Sequence, residues 1–523
     1  MSLTVSPPGR SGPAPLSERA AASRTEFQDE QRLRAARRTA AIDASTRLPV
    51  LVYFASALFW LIMGSVLAIL ASIKLHAPWF FDEASWLTFG RVRPAHLNTM
   101  AYGWASMGSV ATALWLTARL TRAPLAYPRL VAGSAILWNL GLLAGAIGIL
   151  TGSSTSVEWL ELPPWSAPPI AAAFVIVSVS AFVTFARRTE KHVYVSLWYI
   201  LAAVLWFPWL YTAANLMMFS QPVSGVPLAT LNWWYAHNAL GLWFTPVGLA
   251  AAYYLIPKVI GRPIYSYALS VIGFWSLALF YNWNGGHHLI GGPVPAWLVT
   301  VSIVASVSMI IPVIAVAINH HMTMTSHFSV LKRSPTLRFV VFAAVAYTLT
   351  SLQGSMEALR EVNRITHFTH YTIGHAHLGL YGFVTMMLFG TMYYAVPRLT
   401  GREWASATAA RLHFWTCALG VVLYVGALSI GGWIQGMMLN DAETPFMKIV
   451  ETTIPYLQAR SVAGGLMTTG HVIFLGLFIM NLTGFGPRRQ GPLTWDERAD
   501  SAHRGHQLTR PSSSSMSLKE TRV

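Results

Sequence analysis

HYTIGHAHLGLYGFVTMMLFGTMYYAV occupies residues 370–396. Its apolar part is long enough to cross a bilayer, whose hydrocarbon core of about 30 Å needs roughly 20 helical residues. Near its start it carries His375 and His377, two positions apart. On a helix of about 3.6 residues per turn, side chains at that spacing point about 200° from each other. They serve two centres on opposite sides of the helix more readily than one shared site. An ionisable side chain inside such a segment is a functional candidate by default, so the surrounding bundle has to be read for its partners.

Apolar stretches of this kind recur along the chain, near 48–74, 95–120, 128–151, 168–187, 192–219, 229–257, 265–283, 296–318, 336–357, 372–396, 408–434 and 460–484. Of the 523 residues 54% are hydrophobic and 11% charged, with a mean hydropathy of +0.47. A soluble domain carries about 25% charged residues. The expectation is an all-α integral membrane protein, one bundle of twelve transmembrane helices over residues 47–485. A polar tail flanks it at each end, 1–46 and 486–523. No internal repeat stands out.

The net charge of +16 does not indicate nucleic acid. Lys and Arg gather in the tails and in alternate loops, such as RRTEKH (187–192), PKVIGRP (257–263) and PRLTGRE (397–403). The intervening loops, SSTSVEWLELPPW (153–165) and GGHHLIGGPVP (285–295) among them, are less basic. Basic loops face the cytoplasm, which puts both termini there and makes the protein a multi-pass protein of the cell (inner) membrane. Residues 1–46 lack the short apolar core of a cleaved signal. The single cysteine, Cys417, allows no intrachain disulfide, no CxxC zinc site and no CxxCH attachment of a c-type haem.

In this topology His96, His237, His287, His288, His375 and His377 share the outer third of the bundle. Imidazole suits iron, copper and zinc. The adjacent His287 and His288 could join His237 in a three-imidazole site with an open position, which suits copper beside a second metal. His96 and His377 could supply both axial nitrogens of one haem, leaving His375 for a second haem with a free face. His76, His192, His320, His321, His327, His413 and His471 read as ordinary hydrogen-bonded histidines and stay unassigned.

The words around these histidines resemble the catalytic subunit of cbb3-type (C-family) cytochrome c oxidases. They are GRVRPAHLNTMAYGW (90–104), WWYAHNALGLWFTPVGLAAAYYLIPK (233–258), RPIYSYALSVIGFW (262–275), FYNWNGGHHLIGGPVPAWL (280–298) and HYTIGHAHLGLYGF (370–383). The resemblance covers roughly residues 48–485 and implies the haem–copper oxidase fold. It implies a low-spin b haem on His96 and His377, a high-spin b haem on His375, and copper on His237, His287 and His288. Tyr281 falls at the family's redox-active tyrosine, which is cross-linked to the copper histidine that matches His237. Tyr253 and Ser270 match the family's single proton path. Glu158 and Glu161 match the region where the family binds calcium near the haem propionates. The implied activity is reduction of O2 to water, coupled to proton uptake or translocation. The electrons would come from c-type cytochrome subunits or a soluble cytochrome c within a hetero-oligomeric complex.

Two positions depart from the family pattern. Gln353 stands where Glu is frequent, with Glu357 one turn further along, and His370 stands where an acidic residue is frequent. Two other readings compete. A nitric oxide reductase would use non-haem iron with a Glu shortly after the sixth-helix histidine; here Asn238, Ala239, Leu240 and Gly241 follow it. A twelve-helix transporter would show related halves.

Overall fold

The computed structural model describes residues 16–155, 157–219 and 223–489. Within them the chain runs up and down as helical rods. We label these α1 (Leu16–Lys74), α2 (Phe89–Asn98, extended by Thr99–Ala105 and Ser106–Thr121), α3 (Pro128–Thr151), α4 (Ala167–Ala186), α5 (Val195–Phe219) and α6 (Gly225–Ala239, Leu240–Phe244, Thr245–Ile260). The second half comprises α7 (Tyr267–Phe280, then Tyr281–Leu289), α8 (Ala296–Ser308, Ile310–Met324), α9 (Pro335–Glu357), α10 (His370–His377, Leu378–Thr385, Met386–Thr400), α11 (Ala407–Leu439) and α12 (Phe446–Leu482).

Ten helices among the described residues are long and apolar enough to cross a membrane. The expected twelve include α2 and α7, which do not qualify, for different reasons. Even the buried stretch of α2 is interspersed with Gly, Ser, Thr, Tyr and Trp, which lower its hydropathy. The helical part of α7 has 14 residues, about 21 Å at 1.5 Å per residue, and it continues as a 3-10 run, Tyr281–Leu289. At the amino end, residues 16–46 of the expected tail are helical and continuous with the first span. Most of the expected tail 486–523 lies outside the described residues.

Burial divides the rods into a centre and a surround. In the most apolar windows of α6 and α10, 83% and 89% of residues are buried, against 39–50% in the other eight spans. In α2, Ala101–Trp115 is buried without a break. The outer rods keep one apolar face outward, as α3 does with Leu130, Ile136, Leu140 and Ile147, the pattern of helices bathed in hydrocarbon. The protein is a multi-pass membrane bundle enclosing three central helices.

Those three helices share a device that the linear reading missed when it found no repeat. Each contains a π-helical turn, at Thr99–Ala105, Leu240–Phe244 and Leu378–Thr385. Each π turn begins three residues after a candidate ligand: His96, His237 and His375. The underlying similarity is HLNTMAY (96–102), HNALGLW (237–243) and HAHLGLY (375–381). It is confined to a histidine, a few apolar positions and an aromatic, too sparse to register as a repeat. Such turns widen a helix by one residue and gather at functional sites.

Candidate metal centre

One cavity of about 380 Å³ opens between the central helices, and its wall includes all six candidate histidines. His96 comes from α2, His237 from α6, His287 and His288 from the 3-10 run after α7, and His375 and His377 from α10. The convergence expected from sequence is therefore present.

His237, His287 and His288 form a group whose ligand-capable nitrogens all lie within 4.8 Å of one another. The 3-10 run puts the adjacent His287 and His288 on neighbouring faces, with ring centroids 4.4 Å apart. Ser306 on α8 holds His287 Nδ1 at 2.9 Å, and Ser302 Oγ accepts the His287 backbone N–H at 2.7 Å. Trp233 stacks on His288 at 3.9 Å and 12°. His237 Nδ1 is buried with no hydrogen-bond partner, an orphan that a bound metal would satisfy. Among the described residues no Asp or Glu joins the group. Three neutral imidazoles without a carboxylate fit copper.

The tenth helix directs its two histidines apart, as the spacing requires. His375 faces α9, where Gln353 Oε1 lies 3.4 Å, Glu357 Oε1 3.5 Å and Thr350 Oγ1 3.5 Å from its Nδ1. A Cβ on Gly354 would come within 3.1 Å of His375 Cε1. His377 faces α11, with Tyr424 Oη 3.3 Å from its Nε2. Its Nδ1 donates to the Ile373 carbonyl at 2.9 Å, and His96 Nδ1 donates to the Gly64 carbonyl at 2.9 Å. These carbonyls fix the tautomer and put each lone pair on Nε2, the His377 one beside the Tyr424 hydroxyl; ligating histidines are usually oriented by such a bond. Two imidazoles oriented through Nδ1 form a donor set that fits a haem iron.

Tyr281 lies against His237, ring centroids 4.8 Å apart at 30°. Its ring occupies the space beside Gly241, where a Cβ would stand 1.8 Å from Tyr281 Cε1. The position one helical turn past His237 is thus filled by the phenol.

The remaining candidates are more dispersed. Tyr253 is buried on α6, where its hydroxyl accepts from Asn319 at 3.5 Å and its ring stacks on Tyr199. Ser270 is buried on α7 but donates to its own helix, to the Tyr267 carbonyl at 2.6 Å. His320, left unassigned above, packs against Tyr253 with ring centroids 4.5 Å apart. Asn319 and His320 were missed because nothing in the INHH stretch points to Tyr253, which lies on another helix.

At the histidine end of the bundle, Glu158 pairs with Arg93, and Glu161 is buried. Glu161 Oε2 accepts from Asn98 at 2.9 Å, while its Oε1 has no hydrogen bond and lies 3.7 Å from Arg93. Burial pushes its pKa up to about 7, against the Asn98 hydrogen bond. Arg460 on α12, a cavity residue not singled out from sequence, donates to Tyr424 at 2.9 Å.

Comparison with known proteins gives the family and the fold. The family described as cytochrome c and quinol oxidase polypeptide I matches residues 49–466. The cbb3-type cytochrome c oxidase subunit CcoN1 of Stutzerimonas stutzeri is 33% identical over 427 residues, 79% of this chain and 90% of the relative. A cytochrome c oxidase subunit 1 homolog of Azorhizobium caulinodans is 32% identical over 83% of this chain and 82% of its own length. A nitric oxide reductase chain of S. stutzeri matches less, 28% over 47% of this chain and 54% of its own. A solved haem–copper terminal oxidase dimer has the same fold, with a TM-score of 0.67 at 16% identity, covering 87% of this chain and 86% of that one. The chain belongs to the cytochrome c and quinol oxidase polypeptide I family of haem–copper oxidases, as a homologue of the cbb3-type subunit I.

Proposed function

We propose that this chain is the catalytic subunit of a terminal cytochrome c oxidase that reduces O2 to water. The observation that carries the reading is the three-histidine group with Tyr281 stacked on His237 in the slot beside Gly241. His375 would hold a haem iron, and His237, His287 and His288 a copper ion; these groups would supply the chemistry of O2 binding and reduction. His96 and His377 would together hold a low-spin haem b that relays electrons. Tyr281 would lend an electron and its phenolic proton, and its ring contact with His237 supports a covalent link between them.

The other residues divide the supporting work. Ser306, with the backbone contact from Ser302, holds His287 in place. Gly354 lets α9 approach His375, and Gln353, Thr350 and Glu357 surround its outer nitrogen. Protons would enter beside Tyr253, with Asn319 and His320 as its neighbours and Ser270 a weaker member. Glu161, with Glu158, would bind calcium, for which one buried carboxylate oxygen without a hydrogen bond is available. Both termini would face the cytoplasm in the inner membrane, and electrons would arrive from c-type cytochrome subunits or a soluble cytochrome c.

Nitric oxide reduction is the competing reading, supported by the weaker relative. The phenol ring filling the space after His237, and the absence of a carboxylate from the group among the described residues, favour oxygen. Metal and haem analysis of the purified complex with oxygen-uptake assays tests the choice. Copper, b haem and oxygen consumption are expected; iron without copper, together with nitrous oxide production, overturns it.

A further inference from the structure

Tyr381 forms part of the cavity wall one turn beyond His377, within the π turn of α10. Its hydroxyl lies 2.8 Å from His471 Nε2 on α12, and His471 Nδ1 lies 2.8 Å from Ser65 Oγ on α1. All three side chains are buried. The direction of the chain follows from counting hydrogens. Ser65 has one hydroxyl hydrogen, and it is given to the Leu61 carbonyl at 2.6 Å. Ser65 Oγ must then accept from His471, which fixes the proton on Nδ1. The Nε2 lone pair is left facing Tyr381, so the phenol donates to the imidazole.

We infer that Tyr381 and His471 are a second proton-coupled redox pair serving this cavity. Tyr381 gives one electron to the oxidised metal centre, and its phenolic O–H bond breaks as the proton moves to His471 Nε2. The products are a neutral tyrosyl radical and an imidazolium whose Nδ1–H still rests on Ser65. An electron from the donor chain and return of the same proton restore the start. No proton has to reach or leave the bulk phase. The alternative, a phenol radical cation or an imidazolium with an unpaired N–H in the apolar interior, is costly.

The surroundings suit this role. The Cys417 thiol on α11 lies against the Tyr381 hydroxyl, and Phe389 lies beside His471. The cavity-lining tyrosines are Tyr281, Tyr347 and Tyr381, and of these Tyr381 has an imidazole at hydrogen-bond distance from its oxygen. The Tyr393–His413 pair is built similarly at 3.0 Å but does not line the cavity.

The inference rests on the proposed oxidase reading, which supplies the oxidant. The test is freeze-quench electron paramagnetic resonance of the oxidised holoenzyme treated with hydrogen peroxide, with and without ring-deuterated tyrosine. A tyrosyl signal narrowed by the label is expected, with one component lost in Tyr381→Phe and its yield lowered several-fold in His471→Gln. Ser65→Ala, a smaller change that frees the imidazole tautomer, should shift that component without removing it. An unchanged signal in Tyr381→Phe, with haem bands intact, overturns the pair and leaves the oxidase reading standing. Native protein without haem bands overturns both.

Discussion

Tyr281 and Gly241 share one space: the phenol ring of the first sits where the second would carry a side chain, 1.8 Å from an added Cβ. Any larger residue at 241 must displace the ring that stacks on His237. Gly241→Ala is therefore expected to lower oxygen consumption at least tenfold while both haem signals remain. Overpacking of this kind costs about 1–3 kcal/mol, so the assembled protein should still be recovered. Oxygen uptake normalised to haem content measures it; normal turnover would show that the tyrosine can move without consequence.

Copper retention depends on how well His287 is oriented. Ser306→Ala removes the partner of its Nδ1. Loss of such an orienting bond weakens metal affinity roughly 10–100-fold. Copper content after dialysis against graded chelator should fall earlier in the variant than in the native protein, with haem content unaffected. Equal retention would mean the serine is only a packing group.

Separation of the two α10 histidines predicts separable spectra. Removing His96 should abolish the low-spin haem band and electron entry from reduced donor. Copper and the ligand-binding haem on His375 should remain, because His96 takes no part in the three-histidine group. Low-temperature absorption spectra with and without carbon monoxide distinguish the two haems. Simultaneous loss of both would contradict the assignment of His375 and His377 to different centres.

Glu161 gives a pH dependence with a definite sign. Its pKa rises from the usual 4.5 to about 7 on burial, so between those limits the folded protein keeps a proton that an unfolded chain has released. Its contribution to stability is full below the usual carboxylate range, falls as pH rises towards 7, and is level above that. Glu161→Gln should flatten this part of the melting-temperature profile, and calcium should restore stability above neutrality in the native protein alone. A native profile that rises with pH between 5 and 7, as it would for about one proton held preferentially by the unfolded chain, would reject the buried neutral acid.

The meeting of the candidate histidines in one cavity was legible in the sequence because their chemistry is sparse and positional. His375 and His377 sit at a spacing that forces them onto opposite sides of any helix, and the structure turns one towards Gln353 and the other towards Tyr424. Rod boundaries were less legible. The seventh segment read as a full span, yet its last turn tightens into the 3-10 run that delivers His287 and His288. That tightening is set by packing on α6 and α8, where Gly285 passes so close to Trp233 that a Cβ would meet its carbonyl at 2.3 Å. His320 and His471 were set aside as ordinary histidines. Their neighbours Tyr253 and Tyr381 come from helices distant in the chain, and no local pattern announces such meetings.

The three π turns carry a mechanical consequence. Each adds a residue, and one residue is worth about 100° of rotation, so the segment before the turn is clocked independently of the segment after it. His96, His237 and His375 all lie before the turn, while the long apolar stretches that lock α2, α6 and α10 into the bundle lie after it. Deleting one residue from 99–105 would swing His96 away from the cavity, at the cost of the contacts that Tyr102, Gly103 and Trp104 make within the turn. These three candidate ligands are in effect mounted on collars, each aimed separately from the stretch that follows it.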